Sequence, residues 1–370
     1  MFAMDENTYL EFYENTIKEY SKPMKRQISM MLEEEHLITF EEQRNIEDKE
    51  ESLYFSQRDY DLILTKSARN IDFLDFYDKI DFVKMYKYSI PFFYEGDIEK
   101  NISELLLETT LMEHGKTSMK NKYIIASDFK EVLPVYYKID DKHLAIKFVL
   151  QKVYYKEYDE PVGYRYVVVV YFDKKNKLLE IRYDSLRFSP VTDSRTVYKS
   201  NIENILEWLK CKMQLKIYRC SDKQFLKVVK SDTVKEVKIF KQMMDMGSSG
   251  SAELTASQDE DYILPFIGEI QELIDENEEL FNQNKEIKDL LQEYIKEKEA
   301  TASYPYVYLL WKKAVISKGF IVKVTFSYFD GMYIQLQHIT GTCTDFSMER
   351  MNDAIDFFGS SGAFVKGEEL

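Results

Sequence analysis

Three residues of this chain have the types and spacing to hold a divalent cation beside a phosphodiester. Asp222 precedes Glu236 by 14 positions, and Glu236-Val237-Lys238 falls in a run with strand character. Paired carboxylates can share one metal ion, while a nearby ammonium activates water or stabilises developing charge. Residues two apart on a strand point to one face, so Glu236 and Lys238 would act from the same side.

That order, an acid, a spacer and then acid-x-Lys, is the one used by metal-dependent nucleases of the restriction-endonuclease type. In a chain with 31% charged residues such triples also arise by chance, and the plainer reading is a solvated strand face. The surrounding segment is basic. Arg195 to Lys241 carries 12 bases against 5 acids, with Tyr218, Phe225 and Phe240 interleaved. Lys210, Lys212, Lys216, Arg219, Lys223 and Lys227 could hold phosphates while the aromatic rings stack on bases. The alternative is that these lysines balance acidic surface elsewhere in the chain.

Other chemistries find less support. There is no Gly-x-Ser-x-Gly elbow, no Walker A loop, no Gly-x-Gly-x-x-Gly and no His-Glu-x-x-His. The cysteines Cys211, Cys220 and Cys343 lack a short paired spacing, and the four histidines are scattered singly, which argues against a zinc cluster. His143 and His338 sit in apolar strand patterns and read as satisfied core or surface residues. No cofactor is expected, and the balance points away from an enzyme.

The elements that must position these residues follow from composition and periodicity. The chain has 370 residues, enough for two or three domains, with 45% hydrophobic and 15% aromatic residues. The net charge of −15 disfavours a general nucleic-acid or anionic-membrane surface. No apolar run approaches the roughly 20 residues of a membrane span, and the acidic start does not resemble a signal peptide. Unpaired cysteines fit a reducing compartment, so a cytoplasmic protein is expected. Abundant Lys, Ile and Tyr, with AT-rich codons, point to a low-GC bacterial or phage source.

Residues 1–120 read as a helical acidic region. Its first 60 residues hold 15 acids and 7 bases, and Leu10, Tyr13, Ile17 and Tyr20 form an amphipathic stripe. Leu105, Leu106 and Leu107 suggest a well-buried helix. Residues 121–244 read as a central antiparallel α+β domain. Its expected hairpins turn at Asp140-Asp141 and at Asp173–Lys177. The run Val167–Phe172 has the look of a strand covered on both faces, whereas Glu180 and Arg182 alternate with Leu179, Ile181 and Tyr183 as in a half-exposed strand. Ser200 and Glu203 form a capping box for a helix, and short strands follow at 215–219, 225–229 and 234–240. Residues 245–262 resemble a flexible linker. Residues 301–370 read as a small C-terminal α+β module with a helix at 307–318, an Asp330-Gly331 type I′ hairpin and a closing helix capped by Ser347.

Between linker and module, residues 263–300 predict one heptad helix. Pro265 suits its first turn, and the run to Glu299 would be a rod about 50 Å long. Ile263, Ile270, Asn277, Asn284 and Leu291 form one seam; Phe266, Leu273, Leu280, Ile287 and Tyr294 form the other. Asn277 and Asn284 would fix the register of a parallel coiled coil. Ile274, Phe281, Leu290 and Ile295 widen the stripe beyond a simple dimer seam. The expected fold class is therefore α+β, with a long coiled-coil helix joining the central domain to the module. The expected role is a non-enzymatic subunit of a multiprotein complex. It would associate with itself or another protein through the heptad helix and the C-terminal module, the helix contact running through Ile270, Leu273, Asn277, Leu280, Asn284, Ile287, Leu291 and Tyr294. The alternatives are a metal-dependent nuclease or a nucleic-acid-binding accessory factor, for which bacterial antiviral defence or a mobile element would be a natural setting.

Overall fold

The computed structural model describes residues 5–40, 52–116, 125–155, 160–186, 194–231, 237–245, 250–255, 267–301, 303–311, 320–339 and 348–370. Fifteen strands and eleven α-helices lie among them, a mixed α and β architecture. The chain divides into two compact units. The first comprises residues 1–220, 340–360 and 366–370; the second comprises 221–339 and 361–365.

The first unit is built on one sheet. Its strands are β3 (Tyr88–Glu95), β4 (Met112–Glu113), β5 (Val135–Lys138), β6 (His143–Tyr155), β7 (Pro161–Asp173) and β8 (Leu178–Tyr183), in the order β3-β8-β7-β6-β5-β4. All neighbours are antiparallel except the pair β4–β5. Strand β9 (Lys216–Ser221) pairs with β3, and β15 (Val365–Glu369) pairs with β9. The short parallel pair β1 (Ile38–Phe40) and β2 (Leu53–Phe55) stands apart. Both expected central hairpins are present. Asp140 Oδ1 accepts from the backbone N–H groups of Lys142 at 2.6 Å and His143 at 2.8 Å. Asp173 Oδ1 accepts from those of Lys175 at 2.9 Å and Asn176 at 3.1 Å. These side-chain turns fix the register without a tight Gly turn.

Register decides which residues share a face. His143, Ala145, Lys147 and Val149 stand opposite Asp173, Tyr171, Val169 and Val167, and Val169 and Tyr171 stand opposite Arg182 and Glu180. One face of the sheet is therefore apolar at its centre: Leu144, Ile146 and Phe148 beside Phe172, Val170 and Val168, then Leu179 and Ile181. On this side Trp208 of α6 (Ser194–Cys211) meets the Phe148 ring edge-on at 5.2 Å. The other face alternates apolar residues with six ionisable ones. Three helices supply its cover: α1 (Glu6–Lys18), α4 (Leu74–Val83) and α11 (Glu349–Ser361). Helix α1 seats close to β7, where Asn15 donates to Gly163 O at 3.0 Å and the Arg165 N–H donates to Thr16 Oγ1 at 2.9 Å. A Cβ at Gly163 would lie 2.4 Å from Phe12 Cζ, so this approach requires glycine.

Several expectations change here. Tyr88–Glu95 is a strand, although residues 1–120 read as a helical region. Helix α5 (Ile98–Leu107) buries Leu105 but leaves Leu107 85% exposed, because three consecutive residues cannot share one helix face. Helix α6 begins at Ser194, so Ser200 and Glu203 lie inside it and cap nothing. Strand β8 is buried along its whole length, Glu180 and Arg182 included.

The second unit is an antiparallel meander in the order β11-β10-β12-β13-β14. Its strands are β10 (Val237–Asp245), β11 (Ser251–Thr255), β12 (Tyr306–Trp311), β13 (Ile321–Tyr328) and β14 (Tyr333–Ile339). Ser251–Thr255, within the stretch expected as a flexible linker, pairs with β10. Residues 307–311, expected as the start of a helix, lie on β12, where alternation buries Val307, Leu309 and Trp311. Residues 225–229, expected as strand, form the short helix α7 (Phe225–Val229). The hairpin at Asp330-Gly331 is present, but its loop spans four residues, with Phe329, Asp330 and Gly331 all at positive φ. Phe225 stacks on Phe364 at 5.3 Å and meets Phe326 edge-on at 5.0 Å, which ties α7 into the unit's core. Helix α11 carries the expected buried Met351, Ile355 and Phe358, and Met348 is buried just before it; Ser347 lies outside the described residues.

Candidate functional site

The segment expected to be one rod is three helices: α8 (Ile267–Glu276), α9 (Glu278–Gln283) and α10 (Lys285–Thr301). The breaks fall at Asn277 (φ −114°, ψ 34°) and Asn284 (φ −126°, ψ 63°). Each Asn amide donates to the carbonyl four residues back, Asn277 to Leu273 O at 2.9 Å and Asn284 to Leu280 O at 3.4 Å. These side chains compete with the helical ladder, so the two residues read as register keys act as hinges between helices. Ile263, Pro265 and Phe266 lie outside the described residues.

Folding the rod changes which apolar residues are covered. Ile274 and Ile295 become buried against Met244 of β10, with Ile270, Phe281, Leu291 and Tyr304 packed around them. Of the eight proposed contact residues, Ile270 and Leu291 thus belong to an internal core. Leu273, Leu280, Ile287 and Tyr294 face solvent, joined by Leu290 at 66% exposure. Large exposed hydrophobics number eleven among the described residues, and five of them lie between 273 and 294. Scattered apolar exposure is ordinary, but concentration in one short segment makes that segment the candidate contact surface. The seven-residue spacing located four of these five; Leu290 was noted only as widening the stripe.

The nuclease constellation is not assembled among the described residues. Glu236 lies outside them. Asp222 is exposed ahead of α7, its carbonyl accepting from the Phe225 N–H at 2.8 Å. Lys238 is half-buried on β10, opposite Leu310. The basic segment divides between the units: Lys210, Lys212, Lys216 and Arg219 belong to the first, Lys223 and Lys227 to the second. Lys210 lies 3.6 Å from Glu207. Lys212, Lys216, Lys223 and Lys227 are exposed.

The sequence reading missed the charged residues on the covered face of the first unit's sheet. Asp78 and Asp81, three apart on α4, both point at it. Lys147 Nζ lies 2.6 Å from Asp78 Oδ1 and 3.3 Å from Asp81 Oδ2. Arg165 donates to Asp81 Oδ2 at 2.9 Å, and its guanidinium sits 3.6 Å over the Tyr13 ring. Tyr13 donates to Asp78 Oδ1 at 3.2 Å, and His114 Nδ1 lies 3.5 Å from Asp78 Oδ2. Burial acts to raise the Asp78 carboxyl, but Lys147, His114 and Arg165 outweigh it and hold the group well below the usual carboxylate range. Farther along the face, Arg182 binds Glu180 Oε2 through Nε at 2.8 Å and Asn352 Oδ1 at 2.9 Å, while Ser89 donates to Glu180 Oε1 at 2.6 Å. The visible signal was a set of charged residues at period two inside apolar strands.

The cavity beside Asp78, lined also by Tyr9, Tyr13, His114 and Lys147, has a volume of about 50 Å³. That is room for a few water molecules. The contacts around Asp78 and Asp81 join α1 and α4 to the sheet. No helix among the described residues is long and apolar enough to cross a membrane. Compared with known proteins, the chain matches no family model and no curated protein.

Proposed function

We propose that this protein is a non-enzymatic subunit of a protein assembly, docking through the exposed apolar residues of α8, α9 and α10, with the C-terminal strands beneath them as a rigid base. The observation that carries this reading is the concentration of Leu273, Leu280, Ile287, Leu290 and Tyr294 on one short segment, exposed by 37% to 66%. Its occupant is an amphipathic helix of a different protein with basic flanks. Residues 267–301 contain eleven acids and four lysines, a net charge of −7. A second copy would bring like charge to the contact, whereas a lysine-rich helix would meet complementary charge. The Asn277 and Asn284 amides are occupied by their own backbone, which also disfavours the register-locked homodimer.

Two synthetic amphipathic helices, each with a leucine seam but one flanked by lysine and the other by glutamate, test this with the full chain. The lysine peptide should bind, the glutamate peptide should not, and Leu280→Glu with Ile287→Glu should weaken binding more than about tenfold. Light scattering should give a monomer mass for the free chain. Equal binding of both peptides, binding of neither, or a dimer mass would overturn the reading.

A further inference from the structure

We propose that the first unit carries a divalent transition-metal site formed by His143, Asp173 and Asp356, with Asp140 orienting the histidine. One ligand atom from each of the three lies within 4.8 Å of the others. His143 and Asp173 are direct neighbours across β6 and β7, and Asp356 comes from α11. An imidazole with two carboxylates suits zinc or manganese, and three protein ligands leave positions open for water. Three ligands at about 2.1 Å from one ion lie roughly 3.0–3.6 Å from one another, so closing the site draws the ligand atoms together by up to about 1–2 Å. The Asp356 side chain is half-exposed, which permits that movement and gives an ion its way in.

The surroundings are those of a prepared ligand set. His143 Nδ1 lies 2.8 Å from Asp140 Oδ2, leaving Nε2 toward Asp356 at 3.9 Å. A carboxylate on one imidazole nitrogen fixes the ring so that the other can ligate. Asp173 is buried and immobilised by its turn, which takes two lone pairs of Oδ1 and one of Oδ2, and one remains free. The turn in turn touches α11 at Gly359, where a Cβ would strike the Asn176 side chain at 2.8 Å. An independent feature points to a missing ligand. The Tyr171 ring stacks on His143 at 5.5 Å, its side chain is fully buried, and its hydroxyl has no hydrogen-bond partner among the described residues. Burial, with Asp356 and Asp173 among the nearby charges, pushes that hydroxyl upward despite Arg182. A metal-bound water would supply the absent partner. Of the cations nearby, Arg182 is committed to Glu180 and Lys175 is exposed.

Cobalt(II) is the probe, titrated into the metal-stripped full chain. One Co²⁺ per chain should bind, with visible d–d absorption and a raised melting temperature. His143→Ala and Asp356→Asn should each abolish the absorption, and Asp140→Asn should weaken binding about 10–100-fold. The half-exposed Asp356 makes its Asn variant the safe one for folding, verified by an unchanged melting temperature without metal. Absence of stoichiometric binding would overturn the site, leaving His143 with Asp140 as a structural hydrogen-bonded pair. Wild-type binding in the His143 and Asp356 variants would overturn it equally.

Discussion

The two units place their unusual residues in opposite ways. The first buries charge: Lys147, Arg165, Glu180 and Arg182, all at 2% exposure or less, stand on strands rich in Val, Ile, Leu and aromatic residues. The second exposes apolar surface, keeping leucines and an isoleucine in water along α8, α9 and α10. A buried charge is tolerable only with its partners in place, whereas an exposed leucine costs little and gains only when something covers it. The first arrangement is held by ion pairs within the chain; the second leaves apolar side chains uncovered.

Removing one partner from the first unit should produce the largest effect. Lys147→Met leaves Asp78 and Asp81 undercompensated and should destabilise the chain by about 3–5 kcal/mol in urea unfolding. Replacing the charges together, Lys147→Met with Asp81→Leu, should recover part of that loss. A cost below about 1 kcal/mol for the single change would mean that water reaches the pair and the contrast between units is false.

A smaller effect is expected from acid. The native Asp78 carboxyl lies well below the value of about 3.9 for an unfolded aspartate. Its contribution is therefore complete above about pH 4 and is lost as pH falls below it. Asp78→Asn should flatten the decline of unfolding free energy between about pH 4 and pH 2. An unchanged slope would place the acid sensitivity elsewhere.

The smallest effect belongs to the second unit. Leu280→Glu should alter stability by less than about 0.5 kcal/mol, since the side chain is 63% exposed. A loss above about 2 kcal/mol would show that Leu280 is covered within the chain, and the apolar segment would cease to be an interaction surface.

Much of the first unit was legible in its residues. Asp140 and Asp173 announced their turns because an aspartate followed by polar residues bonds its own backbone, and the β-branched run Val167–Val170 could only be an interior strand. The position of β3 was not legible, because Tyr88–Glu95 contains Pro91 and lacks clean alternation. Nor was the burial of Glu180 and Arg182. Their spacing is that of a half-exposed strand, and only the arrival of Ser89 and Asn352, 91 and 170 residues away, supplies the bonds that make burial affordable.

The heptad segment draws the same line. Its spacing by itself determined that residues 267–301 are helical and amphipathic, since period and propensity are local properties. Whether Asn277 and Asn284 would pair across a seam or bend the chain was a tertiary outcome. Met244 and Tyr304 offered Ile274 and Ile295 a core that a straight rod could not reach, and folding back at the asparagines satisfied it. The same fold brings His143, Asp173 and Asp356 together from positions 30 and 183 residues apart. Short-range pattern specifies elements and turns; which polar groups meet depends on pairing register and helix docking, where distant residues supply the missing bonds.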